Sequence, residues 1–199
     1  MDPCGLLVVD VGTFSHNLHL LKVGDHLWFK GPLGQGFEIE GKSIILVAGG
    51  YGSAPLYPLA QASKAQGLQV YVCLGARSAK DFLLMDAFDH LGCHVSKATE
   101  DATSGRRGLV TEVVEHALGD NKFDTLYGCG PVGMLANLAR ICQERKLNYQ
   151  LSWEAQMRCG MGLCGSCEVP ITLDESLPVG WLACYNGPVF IQRWIPSVE

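Results

Sequence analysis

At 199 residues with 48% apolar content, the chain is long enough for one ordinary domain and a small appendage built on a real core. Only 18% of residues are charged and the net charge is −5, with no basic stripe or interleaved aromatics; nucleic acid and anionic membrane surfaces are therefore disfavoured as partners. The opening Met1–Asp10 run carries no basic residue ahead of its apolar stretch, and no segment reaches the ~18 uninterrupted apolar residues of a membrane span, so a cytoplasmic location is expected. Nine cysteines make an odd count, which suits a reducing compartment where thiols bind metal, react or fill a core.

In chain order, Leu6–Val11 and His26–Lys30 read as short strands, separated by Asn17–Leu21 and a turn at Val23–Asp25. Gly31-Pro-Leu-Gly-Gln-Gly36 then interrupts regular structure. Two strands alone leave open edges and little buried surface, so this opening segment is expected to be the end of something larger. After Lys42 the pattern becomes strand and helix in alternation. Strands are expected at Ser43–Ala48, Leu68–Leu74, Cys93–Ser96, Phe123–Tyr127 and Asn148–Ser152. Helices are expected at Leu56–Ala65, Asp81–His90, Gly108–Leu118 and Pro131–Arg145, the last with proline in its first turn. That alternation predicts an α/β fold, a parallel sheet with helices on both faces. From Trp153 onward glycine, cysteine and proline dominate, and no internal repeat is visible.

The cysteines of this last stretch have a specific spacing. Cys159-x4-Cys164-x2-Cys167 followed by Cys184 matches the plant-type arrangement in which four thiolates hold a [2Fe-2S] cluster. Gly160, Gly162 and Gly165 allow the backbone amides of such a loop to approach the sulfurs. A structural zinc site and unligated cysteines are the alternatives, although zinc usually draws on two C-x2-C pairs at the two ends of a loop. Cys4, Cys73, Cys93, Cys129 and Cys142 show no ligand spacing, and Cys73, Cys93 and Cys142 read as core filler.

Two glycine turns stand at strand ends. Ala48-Gly-Gly-Tyr-Gly-Ser-Ala-Pro55 follows the first parallel strand and Tyr127-Gly-Cys-Gly-Pro131 a later one, and each opens a helix whose N-terminal amides suit a phosphate. Two such turns on one parallel sheet face the same edge, where open α/β sheets bind nucleotides. A lone glycine-rich turn is also plain turn chemistry. Arg77, just after the second strand, is placed to reach an adenosine phosphate, with a solvated surface arginine as the alternative.

Together these residues resemble the ferredoxin-reductase-like electron-transfer subunits, and within them the iron–sulfur subunit of dihydroorotate dehydrogenase type B. The resemblance runs over nearly the whole chain. It is carried by Gly24-Asp25 with Gly31–Gly34 and Phe37, by Gly49, Gly50, Gly52, Pro55 and Leu56, by Gly128-Cys129-Gly130-Pro131 with Met134, and by Met157 through Cys167 with Cys184-x-x-Gly-Pro-Val-Phe190. It implies a remnant of an antiparallel FAD-binding β-barrel at 1–41, an NAD(P)-binding domain at 42–153 and a [2Fe-2S] domain at 154–199. It also implies a relay between a nicotinamide cofactor, FAD and the cluster, with Cys129 near the nicotinamide ring and Gly12 and Thr13 at the flavin pyrophosphate. The implied partner is a catalytic flavoprotein subunit, an FMN-containing dihydroorotate dehydrogenase of pyrimidine biosynthesis. Related subunits serve hydrogenases, sulfite reductases and ferredoxin:NADP oxidoreductases, and a non-catalytic iron–sulfur scaffold is a further alternative. The chain departs from the family in having no Arg-x-Tyr-Ser motif and little of the barrel.

Overall fold

A computed structural model of the chain describes residues 5–194. It divides into two compact units, Met1–Pro32 and Leu33–Glu199, and the boundaries expected at 42 and 154 both fall inside the second.

The described part of the first unit holds one helix, α1 (Thr13–His19). The strands expected at Leu6–Val11 and His26–Lys30 do not form among these residues. The physical reason is partnership: a strand exists through its ladder, and each of these segments lacks a neighbour to bond. Their apolar side chains stay in solvent, with Val11, Phe14, Val23 and Trp28 all largely exposed.

The second unit is built on β1 (Ser43–Gly49), α2 (Ser53–Ala65), β2 (Gln69–Ala76), α3 (Met85–His90), β3 (His94–Thr99), β4 (Arg106–Arg107), α4 (Val110–Asp120), β5 (Thr125–Cys129), α5 (Val132–Arg145), β6 (Asn148–Ser152) and β7 (Val189–Gln192). They give a seven-stranded sheet in the order β4-β3-β2-β1-β5-β6-β7. Every pair is parallel except β6 with β7. The chain order crosses over after β4, so β1 and β5 lie side by side at the centre with Ala48 opposite Cys129.

The near-continuous apolar run of β1 follows from burial on both faces. Ile44, Leu46 and Ala48 join a core with Leu56, Leu59 and Phe88 from α2 and α3. Ile45 and Val47 point the other way, to Val113 and Val114 of α4 and Leu135 and Leu138 of α5. This second core does not stop at the sheet. It continues through Tyr149, Leu151 and Trp153 into Val169, Leu177, Trp181 and Ala183, so the cysteine-rich lobe shares its interior with the nucleotide fold.

Two elements differ from expectation. The helix foreseen over Asp81–His90 is only α3, because the Asp81 carboxylate bonds the Ser78 amide and hydroxyl at 3.1 and 2.8 Å, closing a tight turn over 79–81. Leu84 then takes a left-handed conformation before the helix starts. The strand β7 has no alternating signal of its own; pairing to β6 at Ser152–Val189 through Tyr149–Gln192 makes it a strand. Among the described residues no helix is long and apolar enough to cross a membrane.

Candidate functional site

The carboxyl ends of the two central strands deliver both glycine turns to one place. Gly50 has a positive φ of 52° and opens a tight turn to Gly52, after which α2 begins at Ser53, whose buried hydroxyl donates to the Gly50 carbonyl at 3.2 Å. The second turn, Cys129-Gly130-Pro131, packs directly against the first. A β-carbon on Gly49 would stand 2.6 Å from the Pro131 ring and 2.9 Å from the Met134 sulfur; one on Gly130 would stand 2.8 Å from the Gly49 nitrogen. On Gly52 it would overlap the Cys129 carbonyl. The glycines are therefore needed for a backbone-to-backbone approach, leaving two helix starts side by side at the sheet edge.

Cys129 ends β5 half-buried, and burial raises its thiol pKa above the ordinary value. Ser152, its register partner on β6, moderates this by hydrogen bonding to the thiol, while the Glu154 carboxylate adds to the rise. The thiol is thus protonated and polar-bonded, suited to lie against a ligand rather than attack one. Ser152 escaped the sequence reading because only strand pairing puts it beside Cys129. Pro55 stands exposed in the first turn of α2, and Pro131 caps α5. Arg77 follows β2 at the same edge, exposed, and its carbonyl accepts the Asp101 amide at 3.2 Å. Gly12 and Thr13 lie exposed at the start of the seven-residue α1, where the Val11 and Gly12 amides donate to Ser15 Oγ at 2.9 and 3.0 Å.

Cys159, Cys164, Cys167 and Cys184 all lie in the cysteine lobe as free thiols. Cys167 and Cys184 are buried, Cys159 half-buried and Cys164 exposed. Backbone amides aim at the sulfurs: Met161 at Cys159 (3.5 Å), Gly162 at Cys184 (3.3 Å) and Cys184 at Cys167 (3.5 Å). Gly162 adopts φ 76°, which turns its N–H toward Cys184. The amides of Met161, Cys164 and Leu163, with the Cys164 thiol, draw Cys159 down to about 6. The Cys167 thiol hydrogen-bonds Cys184 and, with burial, raises it.

The Gly162 amide on the Cys184 sulfur and the Cys184 amide on the Cys167 sulfur bring the 159–167 loop and Cys184 into direct contact. Among the described residues no three His, Cys, Asp or Glu side chains meet as a single-ion site would require. Four thiols in one glycine-rich lobe, three of them accepting backbone amides, fit a [2Fe-2S] cluster. Cys73 and Cys142 are buried and pushed up to about 12 by burial, and Cys93 is buried and raised as well; all three are core filler. Cys4 lies outside the described residues.

Comparison with known proteins agrees with both halves of this geometry. Residues 154–193 match the model of the iron–sulfur cluster binding domain of dihydroorotate dehydrogenase B, and residues 46–140 match an oxidoreductase NAD-binding domain. The probable dihydroorotate dehydrogenase B (NAD(+)) electron transfer subunit of Methanothermobacter thermautotrophicus is 38% identical over 195 residues, 98% of this chain and 70% of that protein. The chain belongs to the dihydroorotate dehydrogenase B electron transfer subunit family.

The corresponding subunit of Caldanaerobacter subterraneus is 42% identical over 180 residues, 90% of this chain and 70% of that one. Among solved structures, the NADH-dependent reduced ferredoxin-NADP oxidoreductase superposes with a TM-score of 0.77 at 32% identity, covering 92% of this chain and 65% of that chain. The four cysteines and Gly49, Gly50, Gly52, Cys129, Gly130 and Pro131 thus sit in the cluster-binding and NAD-binding domains of an oxidoreductase-type electron transfer subunit.

Proposed function

We propose that this chain carries electrons between a nicotinamide cofactor and a [2Fe-2S] cluster, and on to or from a catalytic dihydroorotate dehydrogenase subunit in the cytoplasm. The observation that carries this reading is the set of four cysteines, three of whose sulfurs accept backbone amides, in a lobe whose core is continuous with that of the nucleotide fold. When bound, the nicotinamide supplies a hydride and the cluster accepts or gives single electrons, with FAD proposed as the carrier that converts one to the other.

The chain's own residues do the rest. Gly49, Gly50, Gly52 and Gly130 leave backbone amides open to a pyrophosphate, and Arg77 stands at the same edge for the adenosine side. Cys129, held by Ser152, fills the space beside the nicotinamide with a neutral thiol. Cys159, Cys164, Cys167 and Cys184 hold the irons, while the amides of Met161 and Gly162 stabilise the negative charge on sulfur. Around the exposed Cys164, the apolar side chains of Met161, Leu163 and Tyr185 face solvent, a surface suited to a protein partner. Gly12 and Thr13, in the first unit, are proposed as flavin contacts.

Anaerobic purification followed by iron, sulfide and flavin analysis, with visible and EPR spectra, tests this. Two irons and two sulfides per chain and a rhombic signal on reduction are expected. One zinc and no visible absorbance would overturn it. A second reading keeps the chemistry but exchanges the partner for a ferredoxin:NADP system, favoured by the 0.77 superposition. Copurification of the native complex separates the two.

A further inference from the structure

The cysteine motif is not the whole of the cluster's surroundings. The short segment Leu33–Gln35, at the start of the second unit, meets the cluster lobe at two points. At the first, Leu33 Cδ1 lies 3.7 Å from where a β-carbon on Gly160 would stand, next to Cys159. At the second, Gln35 donates its amide to the Gly187 carbonyl at 2.5 Å and accepts the Val189 amide at 3.3 Å.

Between these points Gly34 has φ 68°, and a β-carbon on it would overlap the Gly187 carbonyl. Gly187 has no room either, because it faces the Trp181 indole. Trp181 is buried, and its carbonyl accepts the Val169 amide at 3.1 Å; Ala183 bonds the Cys167 carbonyl at 3.0 Å and Cys184 the Cys167 sulfur at 3.5 Å. Direct contacts run from Gly34 through Gly187 and Trp181 into the strand-like pair that carries Cys167 and Cys184. Leu33 reaches the Cys159 side by itself. One three-residue segment therefore touches the Gly160 turn beside Cys159 and the supports of Cys167 and Cys184.

We propose that Leu33–Gln35 is a positioning strap for the cluster, holding the Cys159 turn in register with Cys167 and Cys184 and covering the Gly160 turn against water and oxidant. The argument is physical. The four ligands sit in a lobe with almost no regular structure, so their mutual distances depend on what the lobe is fastened to. A backbone-to-backbone bridge with glycine on each side is a rigid fastening, since no side chain stands between the two strands to rotate. The partly exposed Leu33 side chain lies over a turn whose amides would otherwise be open.

This inference rests on the cluster reading above, and its test separates the two. Holoprotein is prepared anaerobically as wild type, Leu33→Ala, Gly34→Ala and Gln35→Ala. The last is the control, because among the described residues the Gln35 side chain bonds only Glu38, at 2.9 Å, and its backbone bridge survives the change. The rate at which the visible absorbance bleaches in air, the EPR line shape of the reduced cluster, amide exchange over 159–167 and 184–189, and melting temperature are recorded. Leu33→Ala and Gly34→Ala are expected to bleach about fivefold faster, the factor that one lost hydrogen bond or equivalent contact implies, with altered EPR line shape and faster exchange. Gln35→Ala is expected to match wild type. If Gly34→Ala does not fold, Leu33→Ala decides alone, being a change at a half-exposed side chain. Wild-type bleaching, exchange and line shape in Leu33→Ala, whatever the melting temperature, overturns the strap while leaving the cluster intact. A wild-type chain that takes up no iron and sulfide overturns both.

Discussion

Gly52 and Cys129 touch backbone to backbone: a β-carbon on Gly52 would overlap the carbonyl group of Cys129. Gly52 has φ −60°, an ordinary helical value, so space alone and not backbone conformation demands glycine there. The first nucleotide turn is thereby braced by the second, and the position of the Cys129 thiol depends on a residue 77 positions earlier in the chain.

Gly52→Ala is expected to force the two turns apart. Overpacking of this kind costs about 1–3 kcal/mol, and NADH affinity should fall by about tenfold or more because both phosphate-facing helix starts move. Gly119→Ala is the comparison: Gly119 sits within α4 and a β-carbon on it would meet nothing within 4 Å, so alanine there should stabilise by up to ~1 kcal/mol. Thermal melts and NADH fluorescence titrations of the two variants read the contrast.

Serine at Cys159, Cys164, Cys167 or Cys184 should each lower the iron bound per chain and abolish or alter the EPR signal, since oxygen is a poor substitute for thiolate on iron. Cys142→Ser should leave iron content unchanged yet destabilise the fold by about 1–3 kcal/mol, because it places a hydroxyl in a fully buried apolar position. Metal analysis and urea melts of the five variants check this. Equal iron loss in Cys142→Ser would contradict the assignment of that residue to the core.

Two carboxylates should give opposite pH signatures. Asp124 accepts the Lys42 and Ser43 amides at 2.6 and 3.0 Å, and these bonds lower its pKa. Its folded form therefore holds its proton less tightly than the unfolded chain. The stability it contributes is present above the ordinary carboxylate value and is lost as pH falls through the lowered one. Asp174 is buried and its pKa is raised by desolvation, even though it accepts Tyr149 Oη at 2.9 Å, Gln143 Nε2 at 2.9 Å and the Ser176 amide at 2.9 Å. Here the folded chain binds its proton more tightly, so stability declines as pH rises from the ordinary carboxylate value through the raised one. Asp124→Ala should cost about 1 kcal/mol at neutral pH and progressively less in acid. Asp174→Asn should flatten the decline that wild type shows between those two values. Urea melts across pH 3–7, a window chosen around the usual carboxylate range, measure both.

Much of this was legible without coordinates. The strand–helix alternation from Ser43 to Ser152 appears in the fold with boundary shifts of a few residues, because a doubly covered parallel sheet needs continuous apolar strands and amphipathic helices, both local signals. The cluster cysteines were legible because chelation by one short loop imposes its spacing directly on the chain. What failed were Leu6–Val11 and His26–Lys30, where strand-like composition met no ladder partner, and β7, which owes its strand to β6. Asp174 gave no signal as an isolated acidic residue, although its burial against Tyr149 and Gln143 ties the cluster lobe to α5 and β6.

The amino-acid sequence by itself determined the candidate ligand set, the two glycine turns and the order of the elements, since each is encoded largely by neighbours in the chain. Only the tertiary structure decided that Gly52 seats on Cys129, that Ser152 stands opposite Cys129 on β6, that the Cys184 amide meets the Cys167 sulfur and that Leu33–Gln35 lies against both sides of the cluster lobe. Those relationships join residues tens to more than a hundred positions apart. They arise from sheet order and close packing, which no local pattern of residues records.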